Sequence, residues 1–486
     1  MCHHLDVTSR SNLPPFFPVF LGLLAGLLLS APATASAAPA PAQQVLLQDF
    51  PKDGQLYARK ADDFATVEVA GTVIEAGWNE VVLRVATRNA VIEEQFLSLS
   101  YAATGAPFAS SVEIRSGLRD YEFTLSLRGG GSEQQIAIAR SVVAGDVFLI
   151  AGQSNAVALD YWNEELANLS QSWWVRSFGT QALGATESRN NLNWYLAEGE
   201  TQRRRGSVGS WGLLLGEQMV DKLGVPVAII NGAVGGTGIV AHQRNDADPT
   251  DTGTIYGRLL WRADQSGLRE QVRAVFWYQG ESDGSNAFWY GTRFDNMIAD
   301  WREDYPRLRK VYAMQVRQGC AVPADTNIFE AQRELPLRHP EVTLMSTSAL
   351  PQHDGCHYRF AGYEELSRQL ARVVARDFYR RDFGDEVEPP DAIAAWRANA
   401  AGDQLIVEFD ASAVGLTAKP GAALEFVLDD GALVTQVSVQ GAQLLLQLDR
   451  PTTATSLRYI GQPGGTPTQV ANGLGIGALL FNLPLN

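Results

Sequence analysis

Residues able to do hydrolytic chemistry fall in four short clusters. They are Gly152-Gln153-Ser154-Asn155, Asn231-Gly232-Ala233-Val234-Gly235-Gly236-Thr237, Gln279-Gly280-Glu281-Ser282-Asp283 and Asp354-Gly355-Cys356-His357. Asp354 and His357 stand three residues apart, so a carboxylate could hold one imidazole nitrogen while the other faces a nucleophile. Ser154 offers a hydroxyl nucleophile directly after an apolar run. The Gly235-Gly236 pair offers backbone N–H groups unobstructed by a Cβ. The Gln279 amide could donate to an oxyanion. Singly, each has a plainer explanation: a helix N-cap for Ser154, a turn for the glycines, satisfied strand-end polar groups for Gln279 and Glu281, and a structural histidine for His357. Together they supply the separate parts of one acyl-transfer mechanism.

Such a mechanism needs elements that bring distant clusters to one place. Short, wholly apolar runs at 147–150, 227–230, 274–278, 311–316 and 342–345 read as parallel strands covered on both faces. Helix-like stretches at 211–223, 256–268, 287–304, 327–338 and 362–379 alternate with them. The pattern predicts an α/β domain over 143–383 with ligands beyond the carboxyl ends of the strands. Each cluster follows one of those ends; the fourth strand ends instead at Gln318-Gly319-Cys320. Before this domain, 45–142 reads as repeated short strands between Gly and Asp turns, as in a sandwich or jelly roll. After a linker over 384–390, the segment 391–486 again reads as strands.

The first residues predict a compartment. Arg10 precedes an apolar run over 16–29, and small residues ending at Ala37 complete an A-x-A site. This is the order of a signal peptide over 1–37, with the mature chain starting near Ala38 and exported, to the periplasm or beyond. The run is short against about 30 Å of hydrocarbon, no second such run follows, and no cysteine stands at the site for a lipid anchor. Cleavage leaves Cys320 and Cys356, which can form a disulfide after export, and four histidines: His242, His339, His353 and His357.

The 486 residues carry 39 Lys and Arg against 54 Asp and Glu, a formal charge of −15. That balance disfavours nucleic acid and anionic membrane surfaces as partners. The 45% hydrophobic content and three cysteines exclude a disordered or disulfide-dense scaffold. Neither a metal-ligand spacing such as H-E-x-x-H nor a phosphate or dinucleotide fingerprint is present, so no metal or cofactor is expected.

The four blocks, in this order and with Trp277-Tyr278 before Gln279 and Trp211-Gly212-Leu213-Leu214-Leu215-Gly216 between the first two strands, resemble those of the SGNH hydrolase superfamily. The branch is similar to the sialate O-acetylesterase-like proteins, relatives of acetylxylan esterases. The resemblance implies a flavodoxin-like parallel sheet flanked by N- and C-terminal β-sandwich-like domains. It implies Ser154 as nucleophile, His357 as general base and acid, and Asp354 as its orienter, with Glu281 a second carboxylate able to fill that place. The oxyanion hole would comprise the N–H groups of Ser154 and Gly235 and the amide of Gln279. The substrate would be an O-acetylated carbohydrate. Trp173, Trp174, Trp194, Tyr195, Trp289 and Tyr290 are either sugar-stacking surfaces or core. The competing expectation is a carbohydrate-binding or adhesion protein that keeps the fold without turnover.

Overall fold

The computed structural model describes residues 44–486 apart from Asn89 and Asp382. The expected signal peptide, 1–37, lies outside the described residues. No helix among those described is long and apolar enough to cross a membrane.

Strands come first: β1 (Val45–Asp49), β2 (Leu56–Ala58), β3 (Phe64–Val73), β4 (Glu80–Thr87), β5 (Ala90–Ser98), β6 (Ala106–Arg115), β7 (Tyr121–Gly129) and β8 (Ser132–Gly152). Antiparallel pairing joins β1-β3-β6 in one sheet and β5-β4-β7-β8 in another. Alternate side chains of β3, among them Ala65, Val67 and Val69, turn inward against Leu83, Phe123 and Leu125 to make a shared apolar core.

β8 is 21 residues long and changes partners midway. Its first half pairs antiparallel with β7, and its second half pairs parallel with the strands of the next layer. Burial changes with it, from exposed and intermediate positions to an unbroken buried run over 142–152. A parallel strand covered on both faces requires this. The expected boundary at 142/143 therefore falls inside one continuous strand.

The chain continues through α1 (Ser154–Val157), β9 (Val175–Phe178), α2 (Ala185–Asn190), β10 (Trp194–Leu196), α3 (Ser210–Leu223), β11 (Val227–Asn231), α4 (Ile255–Gln265), β12 (Ala274–Tyr278), α5 (Tyr290–Asp304), β13 (Lys310–Gln315), α6 (Ile328–Arg333), α7 (Leu335–Arg338), β14 (Val342–Ser346) and α8 (Phe360–Tyr379). Across the sheet the strands run β10-β9-β11-β8-β12-β13-β14, parallel from β9 onward, with β10 antiparallel at the edge. The subset β11-β8-β12-β13-β14 is the 2-1-3-4-5 order of doubly wound sheets, whose switch point lies between β8 and β12. The five apolar runs of the sequence are these five strands. β9 and β10 were not expected as strands, because each is short and mixed in polarity. The helix expected over 327–338 breaks at Glu334, since Pro336 has no N–H to give the carbonyl four residues back.

Further strands follow: β15 (Ala392–Arg397), β16 (Gln404–Phe409), β17 (Thr417–Ala418), β18 (Phe426–Leu428), β19 (Val434–Gln440), β20 (Gln443–Leu448), β21 (Ser456–Tyr459), β22 (Val470–Ala471) and β23 (Phe481–Pro484). They form the sheets β15-β16-β20-β19, β18-β21-β23 and β17-β22. This region is fastened to the central layer rather than hung from it. Gln315 at the end of β13 donates to the Leu480 carbonyl and accepts from its N–H, both at 2.8 Å. One apolar core runs unbroken from the central sheet into β16, β20 and β23.

Candidate active site

The carboxyl ends of β8 and β12 lie side by side, and the first two components of the site are built there. β8 ends at Gly152 with φ +132°, and a Cβ at that point would collide with the Tyr278 carbonyl of β12. Only glycine fits. The turn places Ser154 as the first residue of α1, 8% exposed. Its hydroxyl makes no hydrogen bond to protein among the described residues. After β11 the chain returns so that a Cβ on Gly235 would lie 3.5 Å from the Ser154 Cβ. The backbone N–H groups of both Ser154 and Gly235 donate to no protein acceptor among the described residues.

The loop between β14 and α8 supplies the imidazole. A disulfide joins Cys356 on this loop to Cys320 beyond β13. Asp354 Oδ1 accepts from the backbone N–H groups of Cys356 and His357, both at 2.7 Å, which folds the loop tightly around its carboxylate. The His357 ring stacks on Tyr161 at 4.0 Å between centroids, and the Tyr161 hydroxyl donates to the Ser154 carbonyl at 3.4 Å. The polar neighbour of the imidazole Nε2 is Cys356 Sγ at 3.7 Å. Burial pushes His357 below its ordinary pKa, and the Asp354 charge works against that shift. For Asp354, burial works to raise the pKa, but the N–H groups of His357 and Cys356 outweigh it and hold the carboxyl low.

Asn155 ties these parts together. Its Nδ2 donates to Glu281 Oε1 at 2.8 Å and to the Cys356 carbonyl at 3.0 Å. Its Oδ1 accepts from the Tyr363 hydroxyl, and its carbonyl accepts from Trp211 Nε1. The residue after Ser154 is thus bonded to both the histidine loop and the turn after β12.

Of the expected site residues, Gly235 lies beside Ser154, and the loop of Asp354 and His357 is tied to the next residue, Asn155. Among the described residues no hydrogen bond joins the His357 imidazole to Ser154 or to the Asp354 carboxylate. Gln279 and Glu281 are engaged elsewhere. The Gln279 amide nitrogen is fully buried and faces Asp283 Oδ2 at 2.6 Å, the Thr237 carbonyl at 3.1 Å and Gln153 Oε1 at 3.2 Å. Its two hydrogens are spent on these acceptors. Glu281 is buried, which raises its carboxyl to about 6 against the opposing bond from Asn155. The charge that opposes the shift at His357 is that of Asp354. His353 is buried, accepts from the Gly355 N–H and is driven by burial down to about 4. Among the aromatic residues, Trp194 and Tyr290 are core, while Trp173 and Trp289 are exposed.

Three contributors escaped sequence reasoning. Asn155 lay within a recognised block, but its bonding could not be read there. Tyr161 and Arg203 belong to the stretch between α1 and α3, which carries none of the blocks named above. Both line a cavity of about 560 Å³ beside the histidine loop.

A 2-1-3-4-5 parallel sheet with a serine after its first strand, and the aspartate–histidine loop after its last, defines the SGNH-type hydrolase class. Residues 144–376 match the sequence model of the family described as carbohydrate esterase, sialic acid-specific acetylesterase. That match takes in just under half of the 486 residues. The chain is similar to a probable carbohydrate esterase of Arabidopsis thaliana, 27% identical over 157 residues that make up 31% of this chain and 56% of the relative. The chain thus spans just over half the length of that curated relative. In three dimensions it is similar to a carbohydrate acetylesterase from Xanthomonas citri. That likeness has a TM-score of 0.59 at 16% identity and covers 89% of this chain and 97% of the other. It speaks to the fold.

Proposed function

We propose that this protein is an exported serine esterase that removes O-acetyl groups from carbohydrates through an acetyl-enzyme. One observation carries the reading: the Ser154 hydroxyl stands beside two unengaged backbone N–H groups, its own and that of Gly235, at the place where the Asp354–His357 loop is fastened. The 1–37 segment and the disulfide support export.

In this mechanism Ser154 Oγ attacks the acetyl carbonyl carbon, and neutral His357 takes the hydroxyl proton. The carbonyl electrons move onto oxygen, where the N–H groups of Ser154 and Gly235 hold the charge, each worth about 10²–10³ in rate. The tetrahedral intermediate expels the sugar oxygen, which takes its proton from His357. Water then attacks the acetyl-enzyme, losing a proton to His357, and acetate leaves as Ser154 regains its own. Catalytic hydrogen bonds often tighten only once substrate is seated. Here that step turns the imidazole from Cys356 Sγ toward Ser154, with Tyr161 guiding its plane. Gln279 has its amide hydrogens engaged, so we assign it to shaping the turn after β12 and leave the oxyanion to the backbone donors.

Ser154→Ala should lower release of p-nitrophenol from p-nitrophenyl acetate by at least about 10⁴-fold, with an unchanged circular dichroism spectrum. Residual activity near that of the parent rejects the esterase reading in favour of a binding protein.

A further inference from the structure

Arg203, Arg204 and Arg205 are consecutive in a chain of net charge −15. Among the described residues, none of the three makes an ion pair or donates a side-chain hydrogen bond. The contrast with Arg244 is plain, since that side chain is held by four carboxylates. Arg203 Nη1 is buried without a partner, a costly state for a charged donor unless a ligand completes it. The backbone that presents it is left-handed at both Gln202 (φ +54°) and Arg203 (φ +64°).

These arginines line a groove of about 870 Å³ together with Tyr195, Asn191 and Asn193. The Arg205 guanidinium lies over the Tyr195 ring, 5.8 Å from its centroid. Glu187 is the carboxylate on this lining. Arg203 also lines the cavity beside the histidine loop, and its Nη2 is 3.3 Å from the point where a Gly235 Cβ would stand, so this side chain stands between the groove and the candidate active site. In the neighbouring cavity Glu200 and Asp160 are already occupied. Glu200 accepts from the Asp160 and Gln202 N–H groups, and Asp160 from those of Trp162, Glu164 and Glu165. They leave Arg203 unclaimed.

We propose that this groove is a subsite for a carboxylate-bearing sugar of the acetylated glycan. Arg203 takes the carboxylate nearest the ester, and Arg204 and Arg205 attract charge further along the chain. A guanidinium fork matches a carboxylate with two parallel donors, and amide and aromatic neighbours suit the hydroxyls and faces of a sugar ring. The proposal rests on the esterase reading for its substrate, but not for its binding.

The test compares the parent with Arg203→Gln and with the double variant Arg204→Gln/Arg205→Gln. Three substrates are used: acetylated xylo-oligosaccharides bearing glucuronate, the same without glucuronate, and O-acetylated N-acetylneuraminic acid. The parent should prefer at least one acidic substrate over the neutral one by about tenfold in kcat/KM, the worth of one charge-assisted hydrogen bond. Both variants should erase that preference through KM, and high ionic strength should shrink it. Whichever acidic substrate shows the effect identifies the source of the carboxylate. Equal rates on acidic and neutral substrates, or variants that slow all three alike, overturn the subsite. Calorimetry with the deacetylated ligands and Ser154→Ala protein reads the groove without turnover. Weaker binding of the acidic ligand to Arg→Gln variants made in that background supports the subsite even if no ester is cleaved. Unchanged binding rejects it.

Discussion

At the scale of the residue, His357 must be neutral to act as a base, and its surroundings favour that state. Burial lowers its pKa from the ordinary 6.5, so kcat/KM should rise with pH through an inflection below that value. Asp354 opposes the shift, so Asp354→Asn should move the inflection lower still and reduce the rate by about 10²–10⁴. Glu281→Gln should leave the inflection in place, because the Glu281 carboxylate is bonded to Asn155 and Asp354 is the charge that opposes the shift at His357. Rate profiles between pH 4 and 8 separate the two carboxylates; a profile moved by Glu281→Gln alone would reverse their roles. His353 accepts the Gly355 N–H, and substituting it should chiefly cost stability.

At the scale of the element, the histidine loop is held from several sides. Asn155 holds the Cys356 carbonyl, Asp354 gathers the loop's N–H groups, and the disulfide to Cys320 closes a stretch of 36 residues. The chain-entropy treatment gives such a closure about 4 kcal/mol, so Cys320→Ser/Cys356→Ser should lower stability by about 2–4 kcal/mol in urea titrations. Activity should fall as well, because an imidazole on a looser loop spends less time facing Ser154. Mass spectrometry of the unreduced protein should yield the cross-linked peptide pair. Two alkylated free thiols would refute the bridge.

At the scale of the whole molecule, the C-terminal sheets buttress the loop that carries His357. Gly465 approaches the His353 carbonyl so closely that a Cβ there would collide with it. Arg317 beyond β13 donates to the carbonyls of Gly464 and Thr466, and Gln318 to that of Ile460. Ending the chain at Phe383 removes these contacts and uncovers the apolar side of a continuous core. The shortened protein should melt at a lower temperature, with loss of esterase activity although Ser154, Asp354 and His357 all remain. Circular dichroism melting with limited proteolysis checks this. An equally stable, equally active fragment would show the C-terminal region to be separable.

Much of this was legible in the chain itself. Five apolar runs are strands because a sheet covered on both faces needs side chains that shed water in both directions, and composition reports that directly. The four polar clusters stood out because each breaks such a run at a point where a parallel sheet exposes its strand ends. Local rules also account for the helix break at Pro336. What the chain left open depends on contacts between distant residues. Gln279 reads as an available donor until Gln153 and Thr237 from other loops, with Asp283 of its own turn, surround it as acceptors. Glu281 reads as a second candidate beside Asp354 for orienting His357 until burial binds it to Asn155, while Asp354 holds the backbone N–H groups of the imidazole loop. No motif singles out Arg203, and only the path of its loop brings it beside Gly235. Apolar patterning is a property of neighbours in sequence, so the order of residues determined the layers. A hydrogen bond is satisfied or spared by whatever lies within about 3 Å in space, so only the tertiary structure decided which polar groups remain free to act.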